Sequence, residues 1–194
     1  MKAGDKMDNI LILIDMQNGF INENTEDVKN RICKLLDQNL FDSVILTKYK
    51  NKPGSSVEKL LGWKKLRTEL SQAIVPEIKE HANYVIEKGT YSGYNQKMTE
   101  VLEKIGNGIM PSHVFVAGLD TDSCVFATAL DLFEDGIRPI VLGNYCGSSG
   151  GESYHLAALK TLERPIGRNN VVMNKKINKQ DLDNIVNDLD VKEK

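Results

Sequence analysis

The chain has 194 residues, 41% hydrophobic and 27% charged, with 25 Lys and Arg against 27 Asp and Glu and a formal net charge of −2. That balance supplies no basic face for nucleic acid, and no basic run stands in for one. Three cysteines, Cys33, Cys124 and Cys146, are too few and too odd in number for a disulfide framework, so a reducing cytoplasm is expected. The polar opening Met1 to Asp8 has no signal core behind it, and the apolar run Ile10 to Ile14 is far too short for a membrane span. One domain spanning residues 1–194 is expected, with no nucleic-acid and no membrane partner.

In chain order, short apolar runs alternate with amphipathic stretches. Asn9 to Ile14 reads as a buried strand ending on Asp15. Val28, Ile32, Leu35 and Leu36 then share one helical face, with Glu26 and Asp27 in the first turn where acids suit the helix dipole. Ser43 to Thr47 is the second strand. A loop from Lys48 to Gly62 is marked by three lysines (Lys48, Lys50, Lys52) and Pro53-Gly54-Ser55-Ser56. A helical piece is predicted to carry Trp63, Leu66 and Leu70, followed by a third strand at Tyr84 to Ile86. Met98, Val101, Leu102 and Ile105 predict another helix. Val114 to Leu119 predicts a fourth strand, and its helix places Val125, Ala129, Leu132 and Phe133 on one face. Pro139 to Leu142 is the fifth strand, Glu152 to Leu162 a helix, and Val171 to Met173 the sixth strand. A final helix carries Leu182, Ile185 and Leu189. This alternation predicts an α/β protein: a three-layer α/β/α, Rossmann-like fold with a mostly parallel sheet of six strands.

Ligands of such sheets bind outside the carboxyl ends of the strands. Asp15, Lys88, Cys124 and Cys146 are each predicted to follow a strand. Cys124 is expected in the first turn of a helix, where unpaired N–H groups and the dipole favour thiolate and can hold an oxyanion. Asp15 would move protons, and Lys88 would keep Asp15 ionised and ease thiol ionisation. Each has a plainer reading: a buried structural cysteine, a turn-capping aspartate, a solvated lysine.

Three segments carry a resemblance. Leu13-Ile14-Asp15-Met16-Gln17-Asn18-Gly19-Phe20-Ile21, Lys88-Gly89-Thr90-Tyr91-Ser92-Gly93-Tyr94 and Ala117-Gly118-Leu119-Asp120-Thr121-Asp122-Ser123-Cys124-Val125 resemble the signature segments of the isochorismatase-like cysteine hydrolases. That superfamily includes nicotinamidases, N-carbamoylsarcosine amidases and ureidoacrylate-type amidohydrolases, and the likeness runs from about Asn9 to about Met173. It implies a catalytic triad of Asp15, Lys88 and Cys124. It also implies a cis Leu119–Asp120 peptide, and an oxyanion hole from the backbone N–H groups of Asp120 and Cys124. A small-molecule substrate and a homo-oligomer, dimer or larger, are implied as well.

The chain departs from its relatives in ways that narrow the chemistry. Metal-binding nicotinamidases carry an Asp-x-His-x-x-x-His-like cluster in the loop after the second strand. Here Lys48 to Trp63 holds neither His nor Asp, and His81, His113 and His155 are far apart. No metal and no other cofactor is expected. Isochorismatases that cleave a vinyl ether generally lack the nucleophilic cysteine, so Cys124 favours C–N hydrolysis of a small amide, ureido or carbamoyl compound. Cys146 is read as structural or pocket-wall, Cys33 as core, His155 as a hydrogen-bonded structural histidine, and Lys48, Lys50 and Lys52 as a solvated face, with attraction of a carboxylate-bearing substrate as the alternative. Phe20, Trp63, Tyr94 and Tyr145 are the candidates for the substrate wall, with Trp63 alternatively at a subunit contact. Vinyl-ether hydrolysis and a non-enzymatic ligand-binding or redox-sensing protein stay open as alternatives.

Overall fold

Uninterrupted apolar segments become strands, and segments with helical periodicity become helices. A computed structural model of the chain describes residues 9–190. The polar opening Met1 to Asp8 and the side chain of Leu189 lie outside what is described. Strands β1 (Ile10–Ile14), β2 (Ser43–Tyr49), β3 (Tyr84–Lys88), β4 (His113–Leu119), β5 (Arg138–Gly147) and β6 (Val171–Val172) form one sheet in the order β3-β2-β1-β4-β5-β6. Every pairing between them is parallel. Residues of β1 and β4 are buried throughout, the burial pattern of strands covered on both faces in a three-layer α/β/α architecture.

The helices are α1 (Glu26–Leu36), α2 (Ser56–Leu61), α3 (Glu69–Gln72), α4 (Pro76–Lys79), α5 (Gln96–Ile105), α6 (Phe126–Glu134), α7 (Glu152–Leu162) and α8 (Lys179–Asp190). Helix α1 buries Val28, Ile32, Leu35 and Leu36, the face its periodicity selects. Asn95 caps α5 by accepting from the Met98 N–H, and Met98 and Leu102 are its buried anchors. Among the described residues no helix is long and apolar enough to cross a membrane.

Sequence and structure part in four places. The stretch from Trp63 to Thr68 is not a helix. Leu66 adopts a left-handed φ of 55° and packs into the core against Gly19, while Leu70, in the single turn of α3, is 76% exposed. One deep anchor replaces the expected stripe. The loop before it contains α2, started by Ser55 and closed by Gly62 with a left-handed φ. Strand β5 also runs longer than Pro139 to Leu142. Its ladder with β4 shifts register after Val116–Val141 and resumes at Gly118–Cys146, so Cys146 is a buried strand residue and not one that follows the strand. Phe133, expected on the apolar face of α6, is 44% exposed.

One glycine sets the spacing at the head of the sheet. Gly118 has φ +116°, and a Cβ there would lie 2.2 Å from the Ile14 carbonyl oxygen. Only glycine lets β4 approach the end of β1 this closely.

Candidate active site

The carboxyl ends of β1 and β4 lie side by side where the strand order reverses direction, the place where open α/β sheets present ligands. Asp15 is the first residue after β1, with φ +49°. Its N–H donates to Thr47 Oγ1 at 3.0 Å, and that hydroxyl donates back to Asp15 Oδ1 at 2.7 Å. A single threonine from β2 thus fixes both backbone and carboxylate. Asp15 Oδ2 lies 2.6 Å from Lys88 Nζ, and both side chains are fully buried.

Lys88 ends β3, with its Nζ 5.1 Å from the centroid of the Tyr49 ring. Its ammonium donates to the carbonyls of Thr90 (3.0 Å) and Tyr91 (2.9 Å) and to Cys124 Sγ (3.3 Å). These three acceptors match the three protons of an ammonium, and the Asp15 carboxylate is held beside them as an ion-pair partner.

Cys124 lies in a widened, π-helical turn, Thr121–Val125, between β4 and α6, closed by the Val125 N–H donating to the Asp120 carbonyl at 3.0 Å. Thr128 Oγ1 donates to the Cys124 carbonyl (2.7 Å) and accepts the Gly93 N–H (2.8 Å), tying the thiol's backbone to the loop after β3. The Leu119–Asp120 peptide is cis. Asp120 accepts from the Ser149 N–H at 2.8 Å and the Ser149 hydroxyl at 2.7 Å. Asn22 and Asn24 donate to the Ser149 carbonyl, which holds that loop against the turn. Thr121 Oγ1 and His155 Nδ1 share a hydrogen bond of 2.8 Å.

Burial pushes the Cys124 thiol well above its ordinary range, the Asp15 carboxylate pushes it further, and Lys88 opposes both. Burial thus opposes the thiolate expected from a helix N-terminus, and α6 begins only at Phe126. Burial likewise raises Asp120, against the two bonds from Ser149. Burial lifts Cys146 to about 12, consistent with an inert strand residue.

Cys124 opens onto a cavity of about 260 Å³. Its aromatic wall is Phe20, Tyr49, Trp63 and Tyr91, and Asp120, Ser123 and Ser149 form a polar side. Phe20 and Trp63 lie nearly parallel, with ring centroids 6.3 Å apart. Trp63 thus belongs to the cavity lining, the first of the two positions its sequence left open. Tyr94 and Tyr145 do not line it. Tyr94 turns away to hydrogen-bond Asp135, and Tyr145 is buried on β5, 4% exposed. Of the three loop lysines, Lys50 pairs with Glu87 at 2.6 Å, and none lines the cavity.

Several residues of the site escaped the sequence reading: Thr47, Tyr49, Gln17, Thr128 and Ser149. The available signal was a polar side chain next to an apolar run, as at Thr47 after Val44-Ile45-Leu46 in β2 and at Thr128 between Ala127 and Ala129 in α6. Gln17 clamps Tyr49 at both backbone groups: its Oε1 accepts the N–H at 2.7 Å and its Nε2 donates to the carbonyl at 3.0 Å.

The donor set does not fit a metal. Asn51, in the loop after β2, spends its amide on the carbonyls of Trp63 and Lys65 and accepts from Ser55. His81 faces Asp37, His113 stacks edge-on against Phe115, and His155 meets Thr121. Among the described residues no three His, Cys, Asp or Glu side chains gather as a metal group.

Comparison with known proteins places this geometry in a family. No curated protein sequence matches the chain significantly. Its fold is similar to that of an isochorismatase-like hydrolase from Alkaliphilus metalliredigens, at 18% identity and TM-score 0.72, covering 82% of this chain and 92% of that one. It is also similar to nicotinamidase/pyrazinamidase PncA from Bacillus subtilis, at 21% identity and TM-score 0.69, covering 83% and 97%. N-carbamoylsarcosine amidase from Thermoplasma acidophilum matches at 22% identity and TM-score 0.61, covering 80% and 93%. The isochorismatase domain model matches residues 9–176, nearly the whole described chain, and the protein accordingly belongs to the isochorismatase family of hydrolases.

Proposed function

We propose that the protein is a metal-independent cysteine amidohydrolase that cleaves a C–N bond of a small amide, ureido or carbamoyl compound through a thioester. The observation that carries this reading is the buried cluster at the cavity: Asp15 Oδ2 2.6 Å from Lys88 Nζ, and Lys88 Nζ 3.3 Å from Cys124 Sγ. Asp15 takes the thiol proton as the S–C bond forms. The carbonyl electron pair moves onto oxygen, and the backbone N–H groups of Asp120 and Cys124 accept the charge as hydrogen-bond donors. The C–N bond then breaks, and Asp15 returns the proton to the leaving nitrogen. Water attacks the thioester with Asp15 taking its proton, the acid product leaves, and that proton goes back to sulfur. Lys88 stays charged throughout and offsets the carboxylate. No step is routed through a metal.

A panel of small amides and ureides assayed for ammonia release tests the proposal, with Cys124→Ala as control. Turnover is expected to fall by about a thousandfold or more, with an unchanged circular dichroism spectrum. Full ammonia release by that variant would end the covalent reading.

A further inference from the structure

One ring of the aromatic wall carries a polar atom with nothing to meet. Tyr49 is 4% exposed, and its buried hydroxyl has no hydrogen-bond partner among the described residues. A buried hydroxyl left unmet is destabilising, so a wall that needed only the ring would be better served by phenylalanine. The placement is not slack. Gln17 clamps the Tyr49 backbone, the ring centroid lies 6.2 Å from that of Trp63, and Lys88 Nζ sits 5.1 Å from it. Asp120 by contrast is engaged by Ser149, and Lys88 by Asp15, two carbonyls and the Cys124 sulfur. Burial also keeps the phenol protonated, so it has a proton to give.

We infer that the Tyr49 hydroxyl donates a hydrogen bond to the substrate and selects small planar amides or ureides bearing a second acceptor besides the scissile carbonyl. The inference rests on reading the cavity as the hydrolytic site. The flat slot beside Phe20 and Trp63 and the volume of about 260 Å³ suit a substrate of about one ring. Recognition by a group that is otherwise unpaired is sharply selective, because an analogue lacking the acceptor leaves the buried hydroxyl unmet.

Calorimetric titration of matched probes tests this: nicotinamide against benzamide, and ureidoacetate against propylurea. Each is titrated into Cys124→Ala and into Cys124→Ala/Tyr49→Phe. At least one acceptor-bearing probe is expected to lose about tenfold in affinity with Tyr49→Phe, while its acceptor-free counterpart shifts by less than about twofold. Unliganded Tyr49→Phe is expected to melt no lower than the wild type, since it removes an unmet group. The inference is overturned if no probe distinguishes the two proteins, or if Tyr49→Phe melts several degrees lower, which would make the hydroxyl part of the fold. Ammonia release by the wild type separates the two readings. A probe that binds through Tyr49 without being hydrolysed counts against amidohydrolysis alone, whereas hydrolysis indifferent to Tyr49→Phe counts against Tyr49 alone.

Discussion

Cys124 Sγ lies 3.3 Å from the Lys88 ammonium, yet burial and the Asp15 carboxylate hold the thiol above its ordinary value of 9.0. In the proposed mechanism the proton is accordingly removed during attack, without a standing thiolate. Alkylation of the Cys124 peptide by iodoacetamide, followed by mass spectrometry, is expected to keep accelerating from about pH 6 to about pH 9. A plateau reached by about pH 7 would reveal a preformed thiolate. Asp15, Lys88 and Cys124 were all legible as residues at strand ends, because each stands in a recognisable local segment. Thr47 and Tyr49 were not. Their roles depend on β2 carrying its end beside Asp15, a contact 32 residues away in sequence.

Among the elements, the turn Thr121–Val125 and α7 act together through His155, whose ring bonds Thr121 just ahead of the thiol. Burial and the charge of Arg31 lower the His155 pKa from 6.5, against Glu152 and Asp122, which raise it. The folded state therefore prefers the neutral ring, and the unfolded chain binds the proton more readily. Stability from this group is present above pH 6.5 and is lost as pH falls through the lower folded value. The melting temperature of the wild type is expected to fall more steeply between about pH 6.5 and about pH 5 than that of His155→Gln. Parallel slopes would remove His155 from the account. Element prediction itself failed where one side chain outweighed periodicity. Leu66 and Leu70 are spaced for a helical face, but burying Leu66 against Gly19 draws the backbone into a left-handed turn.

At the scale of the whole molecule, the strand order brings β1 and β4 together and sets Asp15 and Cys124 on either side of one crevice. Lys88 arrives from β3, two strands away from β1, by reaching past Tyr49. The segment that walls the cavity also exposes Leu60 and Leu70 at 81% and 76%. We propose a homo-oligomer, with these leucines as support, since exposed apolar groups of this kind mark contact surfaces. Light scattering is expected to return at least twice the chain mass of 21.7 kDa, and a mass of one chain would discard the proposal.

The α/β order of elements, the parallel sheet and the Asp15, Lys88 and Cys124 segments could be read from the chain alone. Apolar runs, helical periodicity and short motifs are local properties, and local order survives in a one-dimensional record. Tertiary structure alone decided which polar groups meet: Thr47 on Asp15, Thr128 on Cys124, Ser149 on Asp120, and Tyr49 in place of Tyr94 and Tyr145 on the substrate wall. It also decided how deeply the thiol is buried. Desolvation depends on everything packed around a group, and no stretch of sequence contains its own surroundings.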